Sequence, residues 1–145
     1  MKYLLIPTAL LGALLPAQEV GSVSYQIPGT TSYVKTLEDK GLTQSLLSRD
    51  GGATWTTQNP IDTTLHIRAG SFDPKSPPAL PSNLLAGPNN KLFVVQFKTQ
   101  IIREFRSAIQ AVGGEITYYL PSQSYLVRMD RSKVSKVQAM PFVRS

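Results

Sequence analysis

The sequence predicts an α+β fold, in which a four-stranded antiparallel sheet carries two helices on one face and follows a small irregular β segment. Two observations lead to this fold. The last third of the chain alternates between short apolar runs of strand length and amphipathic runs with helical spacing. The preceding part is divided by many of the eleven prolines and ten glycines, and the 145 residues contain no cysteine that could form a disulfide framework.

The first strand and helix of this last third are predicted from their apolar residues. Leu92–Phe97 is a nearly continuous apolar run, as expected of a central strand. Thr99 is a candidate cap for a helix over Gln100–Val112, where apolar residues recur at spacings of three and four. Gly113 and Gly114 end this helix, because glycine accepts the left-handed conformation that closes a helix.

A hairpin and a second helix are predicted next. Glu115–Leu120 and Tyr125–Met129 have the composition of paired strands. Asp130 is a candidate cap for a short helix, and Phe142–Arg144 begins a last, incomplete strand. The residues spaced for one face of that helix are Val134, Val137 and Met140. The resulting order is βαββαβ, the ferredoxin-like arrangement, which leaves one face of the sheet free as a docking surface.

The start of the chain is predicted to be a signal peptide over residues 1–17. Lys2 precedes an apolar run over Leu4–Leu15, and Ala17 supplies a small residue at the expected cleavage point. The run is shorter than the roughly 20 residues that a membrane-spanning helix needs. We therefore expect a secreted protein that meets the membrane only during export.

Residues 18–72 are predicted to form the small irregular β segment, and residues 73–90 a proline-rich linker. Strand-like runs occur at Ser22–Ile27 and Thr63–Arg68. Proline lacks the amide hydrogen that a sheet or helix interior requires, so the five prolines between residues 73 and 90 favour an extended connection. A domain boundary is expected near residues 89–90, followed by the module at residues 91–145.

The sequence from Ser48 to Trp55 resembles the Asp-box hairpins of sialidases and related β-propellers. In such hairpins an aspartate, here Asp50, caps turn amides, a glycine takes a positive φ, and the tryptophan packs beneath the turn. A propeller needs about four to eight blades of four strands, and this chain has room for barely one. The motif therefore predicts a structural hairpin turn.

Composition excludes most catalytic chemistry. His66 is the single histidine, so a metal site with several histidines is impossible, and the absence of cysteine excludes thiolate metal sites. It lies in an alternating segment typical of an exposed strand, and nothing nearby resembles a nucleophile turn. We expect no enzymatic activity, catalytic residue, metal or cofactor.

The net charge of +6 lies within residues 91–145, which hold nine basic and three acidic residues and suit an acidic partner.

The module resembles the amino-terminal propeptide of secreted subtilisin-like serine proteases over about residues 91–145, with the catalytic domain absent. The segments that carry the resemblance are Phe93–Phe97, Gly113–Gly114, Ile116–Pro121, Tyr125–Met129 and Met140–Arg144. The resemblance implies an intramolecular chaperone and temporary inhibitor, whose sheet face docks on a subtilisin-like protease domain in cis or in trans.

The same resemblance implies the residues that contact the protease. The candidates are Tyr119, Tyr125 and Arg128 on the docking face, and Phe142, Val143, Arg144 and Ser145 on the segment that leads towards the substrate cleft. A secreted stand-alone protease inhibitor is the alternative that uses the same docking. A ferredoxin-like nucleic-acid-binding domain is the weaker alternative, because residues 125–129 lack the basic, aromatic and glycine pattern of RNA-binding strands, and we expect no nucleic-acid partner.

Overall fold

The structure is a computed structural model that describes residues 22–39, 42–68 and 70–145, without the side chains of Asp39 and Leu84. The predicted signal peptide lies outside the described residues. Their strands and helices are β1 (Val23–Gln26), β2 (Tyr33–Asp39), β3 (Leu42–Ser48), β4 (Thr56–Thr57), β5 (Ile61–Asp62), β6 (Leu65–Ile67), β7 (Gly70–Phe72), a 3₁₀ turn at Ser82–Leu84, β8 (Leu92–Gln96), α1 (Arg103–Ala111), β9 (Glu115–Leu120), β10 (Ser124–Arg128) and α2 (Arg131–Gln138). The predicted class, α+β with antiparallel sheets and two helices, is confirmed.

The amino-terminal part is a regular antiparallel sheet, not the irregular segment that the sequence predicts. Strands β1, β2 and β3 follow one another in space, and β4 and β5 both pair with β3. The β2–β3 ladder runs through seven residue pairs. Its inward face combines apolar residues with buried threonine and serine; these residues are Tyr25, Val34, Thr36, Thr43 and Ser45.

The carboxy-terminal part has a three-stranded antiparallel sheet in the order β8–β10–β9. After α2, the chain returns to the far side of β8, where Phe97 forms a single antiparallel bridge with Val143. The two backbone hydrogen bonds of this bridge run from Arg144 N to Gln96 O (2.7 Å) and from Lys98 N to Phe142 O (3.0 Å). The described order is therefore strand, helix, strand, strand, helix, then one bridge.

One hydrophobic core joins the two parts. Three rings of the carboxy-terminal part stack: the centroids of Phe105 and Phe142 lie 4.3 Å apart and those of Phe97 and Phe142 lie 6.0 Å apart. Tyr25 of β1 packs against Phe105 at 6.4 Å, and Val34 belongs to the same cluster. Tyr25, Ile27 and Val34 thus complete a core whose other nine buried members lie in residues 91–145, and the domain boundary at residues 89–90 stays a prediction.

The first helix begins later than predicted. Its cap position is Ile102, which makes no side-chain cap hydrogen bond. Thr99, the predicted cap, is buried, and its hydroxyl donates to Ser45 Oγ at 3.1 Å, so it joins the two parts of the protein instead. The predicted end of the helix is confirmed, because Gly113 adopts a φ of 95°.

Candidate protein-binding surface

The face of the β8–β10–β9 sheet that points away from the helices carries an apolar patch. We define this outer patch as Leu92, Val94, Leu126 and Tyr118. Val94, Leu126 and Tyr118 are direct cross-strand neighbours, so their side chains form one row across all three strands. Leu92, Val94 and Tyr118 are exposed, and Leu126 is half-buried. Contiguous exposed apolar surface of this kind is typical of interaction sites.

The alternation of β8 explains why the patch exists. Phe93 and Val95 point to the helices and join the core, whereas Leu92 and Val94 point the other way. A strand with one solvated face would place polar residues at the outward positions. The continuous apolar run of this strand therefore supplies one face to the core and a second face that stays uncovered in the described structure.

Charged residues border the outer patch where β8 begins and β10 ends. Arg128 Nη1 lies 3.5 Å from Glu115 Oε2, and Lys91 Nζ lies 3.4 Å from Asp130 Oδ1. All four side chains are exposed, so each pair contributes little to stability. The pairs form a polar rim beside the apolar row, which is the general arrangement of a protein interface.

The amino-terminal part covers the other end of the same sheet face, where β8 ends and β10 begins. Gln96 is buried, and its side-chain amide donates to Thr63 O (3.0 Å) and Ser122 O (3.2 Å). The Ser122 hydroxyl donates to Thr64 O. The surface open to a partner is therefore the part of this face around the outer patch.

The predicted contact residues divide between surface and interior. Arg128 is exposed beside the outer patch. Tyr119 and Tyr125 lie on the helix side of the sheet, where their rings meet edge to face at 5.6 Å; Tyr119 is exposed and Tyr125 is half-buried. Phe142 and Val143 are core residues, because the chain after α2 packs its apolar side chains under β8. They are not surface contacts in this structure.

Arg144 forms the centre of a buried ion-pair cluster. Its side chain is 3% exposed, and its Nη1 and Nη2 donate to the two carboxylate oxygens of Asp73 at 2.7 and 2.9 Å. Nη1 also donates to Gln96 Oε1 at 3.0 Å, and Nε lies 3.5 Å from Glu38 Oε1. The hydrogen bond from Arg144 lowers the pKa of Asp73 to about 2, and the Asp73 carboxylate raises the pKa of Arg144.

This cluster holds the last residues of the chain in place. The backbone of Ser145 takes part, because Ser145 O accepts a hydrogen bond from Gln96 N at 2.9 Å. Lys98 Nζ donates to Pro141 O at 2.8 Å, and burial lowers the pKa of this lysine. Arg144 and Ser145 therefore anchor the end of the sheet to Asp73 and to Glu38 of β2.

The Asp-box turn has the predicted geometry at its aspartate and glycines. Asp50 accepts hydrogen bonds from Thr54 N (2.9 Å), the Thr54 hydroxyl (2.6 Å) and the Ser48 hydroxyl (2.7 Å), and these bonds lower its pKa. Gly51 and Gly52 have φ values of 73° and 98°. Trp55 remains partly exposed beside Gly52. The motif stabilises a turn, and its groups are satisfied within the turn itself.

His66 is the exposed strand histidine that the sequence predicts. It lies on β6, where Nδ1 is 2.8 Å from the hydroxyl of Ser71 across the β6–β7 ladder and Nε2 is 3.6 Å from Asp62 Oδ2. Asp62 and His66 are about half exposed. We interpret the contact as a cross-strand pair that stabilises the hairpin.

Among the described residues, no group of three or more His, Asp and Glu side chains could hold a metal ion. A cavity of about 290 Å³ lies between the amino-terminal sheet and α1, lined by apolar residues such as Ile27, Val34 and Phe105, with Arg49 and Glu104 also lining it. Within residues 22–39, 42–68 and 70–145, no helix has the length and apolar character required to cross a bilayer.

Fold and surface together define the chain as an α+β protein with an uncovered apolar sheet face. Residues 66–145 match the family model of a domain of unknown function, DUF8729, and because this match spans more than half of the chain, the protein belongs to that family. No curated protein and no solved structure matches the chain. The family match includes β6 from His66 onwards, β7, Asp73 and the proline-rich residues 73–90 together with the module.

Proposed function

We propose that the protein is the propeptide part of a secreted subtilisin-like serine protease precursor, which docks on the protease domain through the outer patch. The observation that carries this proposal is the row of Val94, Leu126 and Tyr118, which presents apolar side chains on the face of the sheet that points away from the helices. Covering apolar surface gains about 25 cal/mol per Å² before the costs of association. A protein partner with an apolar surface of matching shape would make use of that gain.

The finer fold is part of the same proposal. The strand order β8–β10–β9 and the Phe97–Val143 bridge support a ferredoxin-like βαββαβ module, in which the residues after α2 form the fourth strand beside β8. In this arrangement both helices lie behind the sheet and the outer patch lies in front. The resemblance over residues 91–145 then supplies the identity of the partner, a subtilisin-like protease domain in cis or in trans.

The chain itself acts as an inhibitor and folding aid and performs no catalysis in this proposal. Export by the signal peptide at residues 1–17 would bring it to the compartment where secreted proteases act. A stand-alone inhibitor would use the same outer patch. A nucleic-acid partner is not favoured by the patch, because Tyr118 is its single aromatic residue and the cations at its rim, Arg128 and Lys91, are paired with carboxylates.

The test is inhibition of a subtilisin-like protease by the full chain and by two matched valine variants. Val94→Asp places a charge in the outer patch, where Val94 is 38% exposed. Val23→Asp makes the same change on β1 of the other sheet, where Val23 is 45% exposed. We expect slow-binding inhibition by the parent chain, at least about tenfold weaker inhibition by Val94→Asp, which corresponds to about 1.4 kcal/mol, and no change for Val23→Asp.

Circular dichroism of both variants controls for folding. The docking proposal is wrong if a folded Val94→Asp chain inhibits as well as the parent chain. Absence of inhibition by the parent chain against several subtilisin-like proteases, together with failure to speed recovery of active protease from denaturant, would reject the propeptide function itself.

A further inference from the structure

The connection between the two sheets is an exposed segment with little structure of its own. Every residue from Lys75 to Pro81 is exposed, as are the described side chains through Asn89. The backbone hydrogen bonds along it are local: Ser76 N donates to Asp73 O (2.8 Å), and Leu85 N donates to Ser82 O (3.3 Å). Local opening of such a segment costs little compared with opening of the sheets, because few interactions are broken.

The ends of this segment are fixed. Lys75 Nζ lies 2.9 Å from Glu38 Oε2 of β2, and Asn90 Nδ2 donates to Leu92 O at 2.6 Å, at the start of β8. The segment is therefore a loop held at both ends on a packed structure. Exposed loops of this kind are preferred sites of proteolytic nicking.

Among the described side chains of this loop, two large apolar ones, Leu80 and Leu85, are exposed. Serine endopeptidases with an apolar specificity pocket bind such a side chain on the amino side of the bond that they cut. Leu80 precedes Pro81, whose ring replaces the amide hydrogen and restricts the backbone. Leu85 precedes Ala86 and Gly87, which are small and place no bulk beside the bond. The two leucines therefore differ in the bond that follows them.

We propose that the Leu85–Ala86 peptide bond is a proteolytic processing site for a serine endopeptidase with an apolar specificity pocket. Water is the co-reactant: the C–N bond breaks, the hydroxyl of water joins the Leu85 carbonyl carbon to give a carboxylic acid, and its hydrogen joins the Ala86 nitrogen to give an amine. The site depends on loop exposure and local sequence, so it is independent of docking through the outer patch.

The two halves remain associated after this cut. The contacts that join them do not pass through the loop: Tyr25 packs on Phe105, the Thr99 hydroxyl donates to Ser45, and Arg144 pairs with Asp73. Cleavage at Leu85 therefore converts one chain into two chains held by one core. The module then becomes separable from the amino-terminal sheet by dissociation alone.

Limited digestion of the full chain with chymotrypsin tests the site. Tyr118 is the strongest competing cleavage site, since it is 73% exposed against 60% for Leu85. Tyr118, however, lies in the β9–β10 ladder, which must open before cleavage. We expect mass spectrometry to find the first cut after Leu85, and the two fragments to elute together in size-exclusion chromatography until denaturant is added.

The variant Ala86→Pro places a proline after Leu85, as Pro81 already follows Leu80, and keeps the leucine itself. We expect loss of the first pair of fragments in this variant, with unchanged circular dichroism. A first cut at Tyr118, Tyr119 or Trp55, or an unaltered cut after Leu85 in the Ala86→Pro chain, overturns the processing site. Separation of the fragments immediately on cleavage overturns the retained two-chain form.

Discussion

Replacing Asp73 with alanine removes both hydrogen bonds that the Asp73 carboxylate accepts from Arg144, at 2.7 and 2.9 Å. The guanidinium stays buried, with the Arg144 side chain 3% exposed. Gln96 Oε1 at 3.0 Å and Glu38 Oε1 at 3.5 Å remain as its partners. The change therefore leaves a buried guanidinium that has lost two of its three side-chain hydrogen bonds.

The expected loss follows from these contacts. A hydrogen bond to a charged group contributes about 1.5–3 kcal/mol, and breaking a fully buried ion pair costs about 3–5 kcal/mol. Asp73 is 39% exposed, so water screens part of the interaction, and Glu38 retains some attraction. We expect the free energy of unfolding to fall by about 2–3 kcal/mol. Arg144→Met combined with Asp73→Ala should lose less than the two single changes together, because no buried charge is left unpaired.

Urea unfolding of the full chain at pH 7, followed by circular dichroism, measures this loss. The control is Glu115→Ala, which removes an exposed partner of Arg128 and should change the free energy of unfolding by less than about 0.5 kcal/mol. A loss below about 0.5 kcal/mol for Asp73→Ala, or strict additivity with Arg144→Met, would refute the reasoning that this pair anchors the end of the chain.

The same pair predicts an acid limit to stability. The pKa of Asp73 falls from 3.8 to about 2 in the folded protein, chiefly because Arg144 donates hydrogen bonds to the carboxylate. A lowered folded-state pKa contributes stability that is complete above the unfolded value and is lost as the pH falls towards the folded value. Between about pH 4 and pH 2 the parent chain should therefore lose stability more steeply than Asp73→Ala. Parallel curves in that window would contradict this assignment.

Two further substitutions test the packing. Gly114→Ala places a Cβ atom 2.6 Å from Ile109 Cγ2 and 3.1 Å from Val127 Cγ1. We expect the free energy of unfolding, measured in urea, to fall by about 1–3 kcal/mol. The control Gly87→Ala should change it little, because the added Cβ meets no atom within 4 Å. Tyr25→Phe removes a buried hydroxyl that has no hydrogen-bond partner among the described residues, so we expect unchanged or up to about 1 kcal/mol greater stability; a clear loss would reveal a bound water or another partner.

The carboxy-terminal elements were predictable because their apolar residues repeat with regular spacing. Strand β9 has the predicted bounds, and α1 and β10 differ from the prediction by a few residues at their ends. The shift at the start of α1 has a tertiary cause: Thr99 has the composition of a cap, but its hydroxyl is used by Ser45, which lies 54 residues earlier in the chain. Local sequence does not contain that contact.

The strand-like run over Ser22–Ile27 coincides with β1, but β2 and β3 of the amino-terminal sheet escaped prediction for a chemical reason. The inward positions of β2 and β3 include Thr36, Thr43 and Ser45, all of them buried, so these strands lack the apolar alternation that marks a half-buried strand. Glycine and aspartate turns gave the chain the appearance of irregular structure. Arg144 and Asp73, 71 residues apart, likewise carry no local signal of their pairing.

The outer patch could have been found from sequence, because a strand that is apolar on both faces must either lie between two layers or leave one face uncovered. The first possibility applies at Gln96, where the amino-terminal part covers the sheet, and the second applies at Val94 and Leu92. Sequence reasoning reached the free face as a property of the fold and assigned it to Tyr119, Tyr125 and Arg128. The register places Arg128 beside the outer patch and the two tyrosines on the helix side.

The shared core changes what docking on a partner would contribute. Residues 91–145 alone would hide only about 60% of their unfolded-chain surface and would be marginally stable without other contacts. Tyr25, Ile27 and Val34 of the amino-terminal part already pack into that core. A partner on the outer patch would therefore meet a preformed surface and would not bear the ordering cost of coupled folding. Binding energy at Val94 and Tyr118 would then appear directly as affinity, which is why a single charge at Val94 should separate docking from folding.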